Sequence, residues 1–213
     1  MRDRKYKISP GIYRWIVFLL LILGYVFVNF HRLCPAVVAL DLMKDLNVDG
    51  RIVGLLASAY FYPYAFMQIP SGLLSDSWGP RKTITCFFIL AGLASLALGF
   101  AQSVGAAIAA RVLVGIGVSM YFVPIMKILT HWFTVSEFSF MTGLLIASGG
   151  VGALSAAAPL AYLSSAVGWR GSFIFMGGIT LLTTVAIWAM VRNTPEELGY
   201  PAVGRGESSE RKE

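Results

Sequence analysis

Charged side chains are scarce in this chain, and their scarcity sets its class. Of its 213 residues, 17 are Lys or Arg and 11 are Asp or Glu, whereas 57% are hydrophobic. This composition excludes an ordinary water-soluble domain. The length accommodates about six membrane spans of roughly 20 apolar residues each. The net charge of +6 does not indicate nucleic-acid binding, because the cations lie at the ends of apolar runs and not on one polar face.

Several chemical signatures are also missing. The chain has two cysteines, Cys34 and Cys86, and we expect both to be small buried side chains rather than a disulfide or a metal pair. It contains no HExxH or GxSxG motif, and His31 and His131 are predicted to lie a membrane thickness apart. The sequence therefore predicts no enzyme, cofactor or metal site. No Asp or Glu lies deep in an apolar run, so a coupling ion, proton or sodium, is left open.

The apolar runs predict an all-α integral membrane protein with six transmembrane helices. Their expected bounds are 14–40, 52–75, 83–101, 106–129, 138–164 and 171–191. Residues 1–13 would form a cytoplasmic N-terminal segment, and 192–213 a polar tail or a truncated central linker. The first run has a basic start, as in a signal peptide, but no small-residue cleavage site follows it, so we expect it to be retained.

The distribution of cations predicts the orientation. With both termini in the cytoplasm of a cell or inner membrane, nine cations lie inside: Arg2, Arg4, Lys5, Lys7, Arg14, Arg81, Lys82, Lys127 and Arg192. Three lie outside, namely Lys44, Arg51 and Arg170. This asymmetry obeys the positive-inside rule.

Two arginines, Arg32 and Arg111, fall within predicted spans. An arginine at mid-bilayer costs at least about 2.5–3.5 kcal/mol on insertion scales, so each should face a partner or a water-filled cavity. Helical spacing places polar and aromatic side chains in two stripes: Tyr25, Asn29 and Arg32 on the first helix, and Tyr60, Tyr64 and Gln68 on the second. A guanidinium between such stripes suits a small anion, because its fork pairs bidentately with carboxylate or phosphate.

Simpler interpretations of these features stay open. Arg32 could instead extend to the outer headgroups, and its neighbour His31 is expected to face lipid or another helix. Arg111 could bond helix-end carbonyls or serve function directly. In the fifth helix, the small residues Ser148 and Gly152 favour close helix packing, with a moving gate as the alternative.

The loop between the second and third helices is the most specific motif. It contains Gly72, Asp76, Gly79, Arg81 and Lys82. In this pattern the chain resembles the N-terminal half of a major facilitator superfamily transporter. The resemblance implies that Gly72 allows tight helix contact, Gly79 permits the turn and Asp76 pairs across a cytoplasmic gate. Ser77 departs from the family, where a basic residue is common.

Further motifs extend the resemblance over about residues 10–200. Arg111, Gly115 and Gly117 resemble the second family motif, and Gly168-Trp169-Arg170 and Asn193-Thr194-Pro195-Glu196 are also similar. The stretch from Phe61 to Pro70, together with Arg32, is similar to the anion:cation symporter branch, whose members carry organic anions such as sugar acids. Gly149, Gly150, Gly152 and Pro159 match the antiporter motif only in part, so exchange is not inferred.

The resemblance implies a twelve-helix fold of which this chain provides one half, itself a 3+3 repeat. In that family the substrate lies between two halves. We therefore expect the lipid bilayer, a small-molecule anion, and a second six-helix half or a second copy as partners. The leading hypothesis is secondary transport of a small anionic solute by alternating access. Two other hypotheses remain: a non-transporting membrane subunit or sensor, and an inactive fragment of a transporter.

Overall fold

The computed structural model describes residues 9–203, and every regular element in that range is helical. Nine α-helices occur in order within these residues: α1 Pro10–Val37, α2 Ala39–Leu46, α3 Gly50–Phe66, α4 Gln68–Ser77, α5 Pro80–Gly99, α6 Val104–Ser119, α7 Phe122–Trp132, α8 Val135–Ser155 and α9 Ala158–Met190. A 3₁₀ turn follows at Pro195–Leu198. Of the expected terminal segments, residues 1–8 and 204–213 lie outside the described range, with Arg2, Arg4, Lys5 and Lys7.

Prolines divide three of the expected helices. Proline lacks the N–H that would bond the carbonyl four residues earlier, and it crowds that carbonyl. Pro70, Pro124 and Pro159 each lie four residues after the point where a helix ends or breaks, at Phe66, Met120 and Ser155. The predicted spans 52–75, 106–129 and 138–164 therefore each contain a break that the sequence analysis did not place. They correspond to α3 with α4, to α6 with α7, and to α8 with the start of α9.

Among the described residues, four helical stretches are long and apolar enough to cross a membrane: Pro10–Val37, Pro80–Gly99, Val104–Trp132 and Val135–Met190. The pair α3 and α4, bent by 45°, makes a fifth if it is one span. The last stretch, of 56 residues, is interrupted at Gly168. At about 1.5 Å per residue it would exceed twice the roughly 30 Å hydrocarbon thickness.

Two ends of the bundle are tied by polar contacts. At one end Arg14 pairs with Glu137 (2.9 Å) and Lys127 with Asp76 (2.6 Å). At the other end Arg170 pairs with Asp45. The expected inside cations Arg14, Arg81, Lys82, Lys127 and Arg192 thus gather at the first end, where Arg81 also bonds the carbonyl of Trp188.

Small residues bring the helices together. A Cβ at Gly92 of α5 would lie 3.2 Å from the carbonyl oxygen of Gly177 in α9, and one at Gly152 of α8 would lie 2.4 Å from the carbonyl oxygen of Val26 in α1. These contacts confirm close packing at Gly152. One expectation was wrong: Cys34 is buried, but Cys86 is exposed on α5, because that position faces away from the bundle.

Candidate functional site

Arg32 lies exposed on α1, facing α3. Its guanidinium carbon is 5.3 Å from the centre of the Phe61 ring, a cation–π distance. Within residues 9–203 the structure places no carboxylate within ion-pairing distance of Arg32. The guanidinium of Arg32 therefore contacts the Phe61 ring on one side, and its positive charge has no carboxylate partner among the described residues.

The tyrosine stripes converge on the same region. Tyr64 stacks on Tyr60 with ring centres 5.8 Å apart, and its hydroxyl interacts with Gln68. Tyr64 also lies within electrostatic range of Arg32 and Tyr25. Tyr60 is fully buried, so it supports Tyr64 from within the bundle. It cannot line an open wall in this conformation.

Tyr25 and Asn29 pack where α1 meets α8. The Asn29 amide donates to the carbonyl of Tyr25 (3.0 Å), and both side chains lie against Gly149, where a Cβ would be 2.8 Å from Asn29 Nδ2. The structure thus divides the six predicted site residues between two places: Arg32, Tyr60, Tyr64 and Gln68 lie where α1 faces α3 and α4, and Tyr25 and Asn29 lie where α1 meets α8.

Arg111 of α6 lies behind that region and is 1% exposed. It donates from Nη1 to the carbonyl of His31 (3.0 Å) and from Nε to that of Leu56 (3.4 Å), with its guanidinium over the Tyr60 ring at 4.7 Å. Pro35 explains the first bond, because it cannot supply the helical N–H that would bond His31. His31 is buried and contacts Thr180 through Nε2 (3.0 Å), as expected for a helix-facing side chain.

The glycines of the Arg111 motif sit at close helix contacts. A Cβ at Gly115 would lie 2.4 Å from the carbonyl oxygen of Tyr60, and one at Gly117 would lie 2.6 Å from the amide nitrogen of Ala91. Any larger residue would push α3 or α5 away from α6. The motif therefore fixes the helices that carry the tyrosine stripe.

The loop motif joins α4 to α5. Gly79 has φ +87°, a backbone conformation that favours glycine, which confirms its role in the turn. The Arg81 amide donates to Asn193 (2.8 Å), and its guanidinium stacks on Trp188 at 4.1 Å. Lys82 is exposed. The loop thereby attaches the start of α5 to the end of α9.

Asp76 and Gly72 of the motif differ from each other in their contacts within the bundle. Asp76 pairs with Lys127 of the same bundle, and a Cβ at Gly72 would meet no atom within 4 Å among residues 9–203. Both residues lie on α4, whose Ile69 and Leu73 are 79% and 68% exposed. The tight contact expected at Gly72 is not made by the described helices.

Comparison with known sequences decides the family. The model of the Major Facilitator Superfamily matches residues 14–211. The chain belongs to the Major Facilitator Superfamily. This membership, together with the apolar helices, indicates an integral membrane protein that crosses the bilayer several times.

Curated relatives are named as transporters in this superfamily. "Probable sulfoacetate transporter SauU" of Cupriavidus necator is 29% identical over 82% of this chain and 41% of its own length. "Probable hexose phosphate transport protein" of Chlamydia trachomatis is 25% identical over 90% of this chain and 42% of its own. "Probable galactarate/D-glucarate transporter GudP" of Escherichia coli is 27% identical over 91% and 43%. The chain thus spans less than half the length of these relatives.

Solved structures support the same fold. The inward-facing, unoccupied structure of a bacterial homologue of the human lysosomal transporter Spinster matches with a TM-score of 0.77 and 23% identity. It covers 88% of this chain and 44% of that protein. The likeness establishes a major facilitator fold for the described helices.

Sequence reasoning missed the contacts that join distant segments. Lys127 with Asp76 and Asn193 with Arg81 both connect residues more than fifty positions apart. Opposite charges predicted on the same membrane face were the available signal for the first pair. The bond from Arg111 to His31 had a clearer signal in Pro35, which frees one particular carbonyl.

Proposed function

We propose that this chain provides one wall of a secondary transporter for a small organic anion, working by alternating access. The observation that carries the proposal is Arg32, exposed beside Phe61 and without a carboxylate partner among the described residues. An unpaired guanidinium within a membrane protein is costly unless it meets an anion or water. Tyr25, Asn29, Tyr64 and Gln68 would contact the remaining polar groups of the solute.

The chemistry of the relatives' named solutes supports an anion. Sulfoacetate, hexose phosphates and glucarate differ in shape but share carboxylate, sulfonate or phosphate groups. A guanidinium fork bonds two oxygens of any of these groups. The sequence likeness to the anion:cation symporter branch favours symport, with the coupling ion still open.

The architecture that fits this function has six crossings in two sets of three. The pair α3 and α4 would be one span, and Gly168 would separate two more within Val135–Met190. Residues 14–191 would form the bundle. Both termini would lie in the cytoplasm, with the cation-rich end.

A second six-helix half, or a second copy, would complete the cavity. The exposed apolar side chains of α4 and the open position at Gly72 form a face that lacks a protein partner among the described residues. Asp76, Gly79, Arg81 and Lys82 lie at its cytoplasmic end and would control inward closure. Arg111, Gly115 and Gly117 would keep α6 in register with α3 as the halves move.

A matched pair of sugars tests the anion site. The purified chain in nanodiscs is titrated with radiolabelled glucose 6-phosphate and glucose, and with D-glucarate and sulfoacetate. At least one anion should bind about tenfold or more tightly than neutral glucose, because hydrogen bonds to charged groups contribute about 1.5–3 kcal/mol. Equal or absent binding of all three anions, both to the chain alone and to the chain combined with a second six-helix half, would refute the proposal.

Uptake separates the remaining hypotheses. The chain is reconstituted in vesicles alone and together with a separately expressed second six-helix half. Anion binding with no uptake in either preparation would favour the non-transporting subunit or sensor. No binding in any preparation would favour an inactive fragment.

A further inference from the structure

An apolar groove of about 450 Å³ opens between the start of α5 and the end of α9, away from the anion site. Its walls include Trp78, Lys82, Cys86, Ile89, Val185 and Trp188. None of the six predicted solute-binding residues lines this groove. The groove is therefore a candidate binding site separate from the anion site.

The position of the groove indicates lipid. Trp78, Val185 and Trp188 are 53%, 66% and 46% exposed, although they belong to or adjoin membrane-crossing helices. Trp78 precedes α5 and Trp188 lies in the last turn of α9, so both are at helix ends, where tryptophan favours the headgroup region. The groove runs from that depth toward the hydrocarbon.

The charge at its mouth comes from Lys82. This side chain is exposed and makes no ion pair within residues 9–203. Its neighbour Arg81 is already engaged by the carbonyl and ring of Trp188. Thr85 and Thr184 in the walls donate their hydroxyls to carbonyls of their own helices, Arg81 and Thr180. The groove thus combines an apolar interior with one available cation at its mouth.

We propose that this groove binds an anionic glycerophospholipid, with one acyl chain between α5 and α9 and its phosphate on Lys82. Basic pockets at the ends of transmembrane helices recognise anionic headgroups in this way. The lipid would stabilise the contact between α5 and α9, which the loop motif also holds through Arg81. The proposal does not depend on the transported solute.

Native mass spectrometry of the full chain in dodecylmaltoside tests it. Phosphatidylglycerol and phosphatidylcholine with identical acyl chains are added at equal concentration. The wild-type chain should retain phosphatidylglycerol about fivefold over phosphatidylcholine, the effect of one basic residue near a charged headgroup. Lys82→Gln should abolish that preference, and Val185→Trp, which fills the groove, should lower retention of both lipids.

Two matched controls sharpen the result. Leu182→Trp adds the same ring to an exposed position of α9 outside the groove, and Lys44→Gln removes an exposed cation at the opposite end. Both should behave as wild type. Because Lys82 is exposed, Lys82→Gln should fold normally. It therefore tests whether Lys82 binds the lipid phosphate even if the tryptophan variants aggregate.

Three outcomes would overturn the proposal. The first is equal retention of the two lipids by the wild-type chain, and the second is a preference that survives Lys82→Gln. The third is spontaneous Cys86 to Cys86 cross-linking between copies in the membrane, which would assign the groove to a second copy of the chain.

Discussion

At the scale of the residue, Arg111 donates a hydrogen bond to the carbonyl of His31, which Pro35 leaves without a backbone donor. Pro35 cannot bond His31, and Arg111 supplies the missing hydrogen bond at 3.0 Å. A buried carbonyl without a partner costs about 1–3 kcal/mol. Arg111 therefore connects α6 to α1 at the turn that carries Arg32.

This bond predicts an energetic coupling between positions 111 and 35. Arg111→Met should lower the free energy of unfolding by about 1–3 kcal/mol, because the His31 carbonyl loses its donor. Pro35→Ala should restore part of this loss, since an alanine at that position can donate its own N–H to His31. Circular dichroism melts of a double-mutant cycle in detergent measure the coupling.

Pro63 provides the control, because it lies inside α3 and Arg111 does not bond the carbonyl that Pro63 leaves free. The cycle of Arg111→Met with Pro63→Ala should show no coupling. Absence of coupling in the Pro35 cycle would mean that Arg111 stabilises the bundle by another contact.

Residue types were predictable from the sequence more reliably than their environments. Arg32, Tyr25 and Tyr64 were identified from helical spacing, and Tyr64 lies close enough to the other two to interact with them electrostatically. The burial of Tyr60 was not predictable, because a shared helical face does not reveal which neighbouring helix covers it. Gly115 allows α6 to approach the Tyr60 carbonyl, and that contact depends on tertiary packing.

At the scale of the element, the apolar runs predicted where the helices lie. The prolines within these runs were not used to predict where the helices break. Hydropathy averages over about twenty residues and does not register one missing hydrogen bond. Pro70, Pro124 and Pro159 stood in the sequence as signals for the breaks at Phe66, Met120 and Ser155. Gln68 consequently belongs to α4 and not to the helix of Tyr60.

Gly168 is the break whose conformation requires glycine. Its φ of +75° with ψ 166° lies in a region that residues with a Cβ rarely adopt, at about 1–3 kcal/mol. Since a Cβ there would meet no atom within 4 Å, the cost of Gly168→Ala is conformational. We expect a lower melting temperature by circular dichroism.

Gly178→Ala is the matched control. Gly178 lies in the helical part of α9, and a Cβ at this position would also meet no atom within 4 Å. Alanine there should be neutral or stabilising by about 0.5–1 kcal/mol. Equal melting temperatures for the two variants would contradict a required positive φ at Gly168.

At the scale of the whole molecule, residues 9–203 form a bundle with a polar and aromatic region and with an apolar face that no described helix covers. Arg32, Tyr60 and Tyr64 lie where α1 faces α3, and the apolar side chains Ile69 and Leu73 of α4 are exposed. In water such an exposed apolar face would promote aggregation, but in a membrane it can contact lipid or a second bundle. Under the proposed function, this face would contact a second bundle.

Anion binding by Arg32 is tested by comparing two arginine variants. Arg32→Ala is measured against Arg51→Ala, an exposed arginine at the start of α3, by binding of the anion that the wild-type chain prefers. Arg32→Ala should lose about tenfold or more in affinity, while Arg51→Ala should bind as wild type. Unchanged affinity in Arg32→Ala would contradict it.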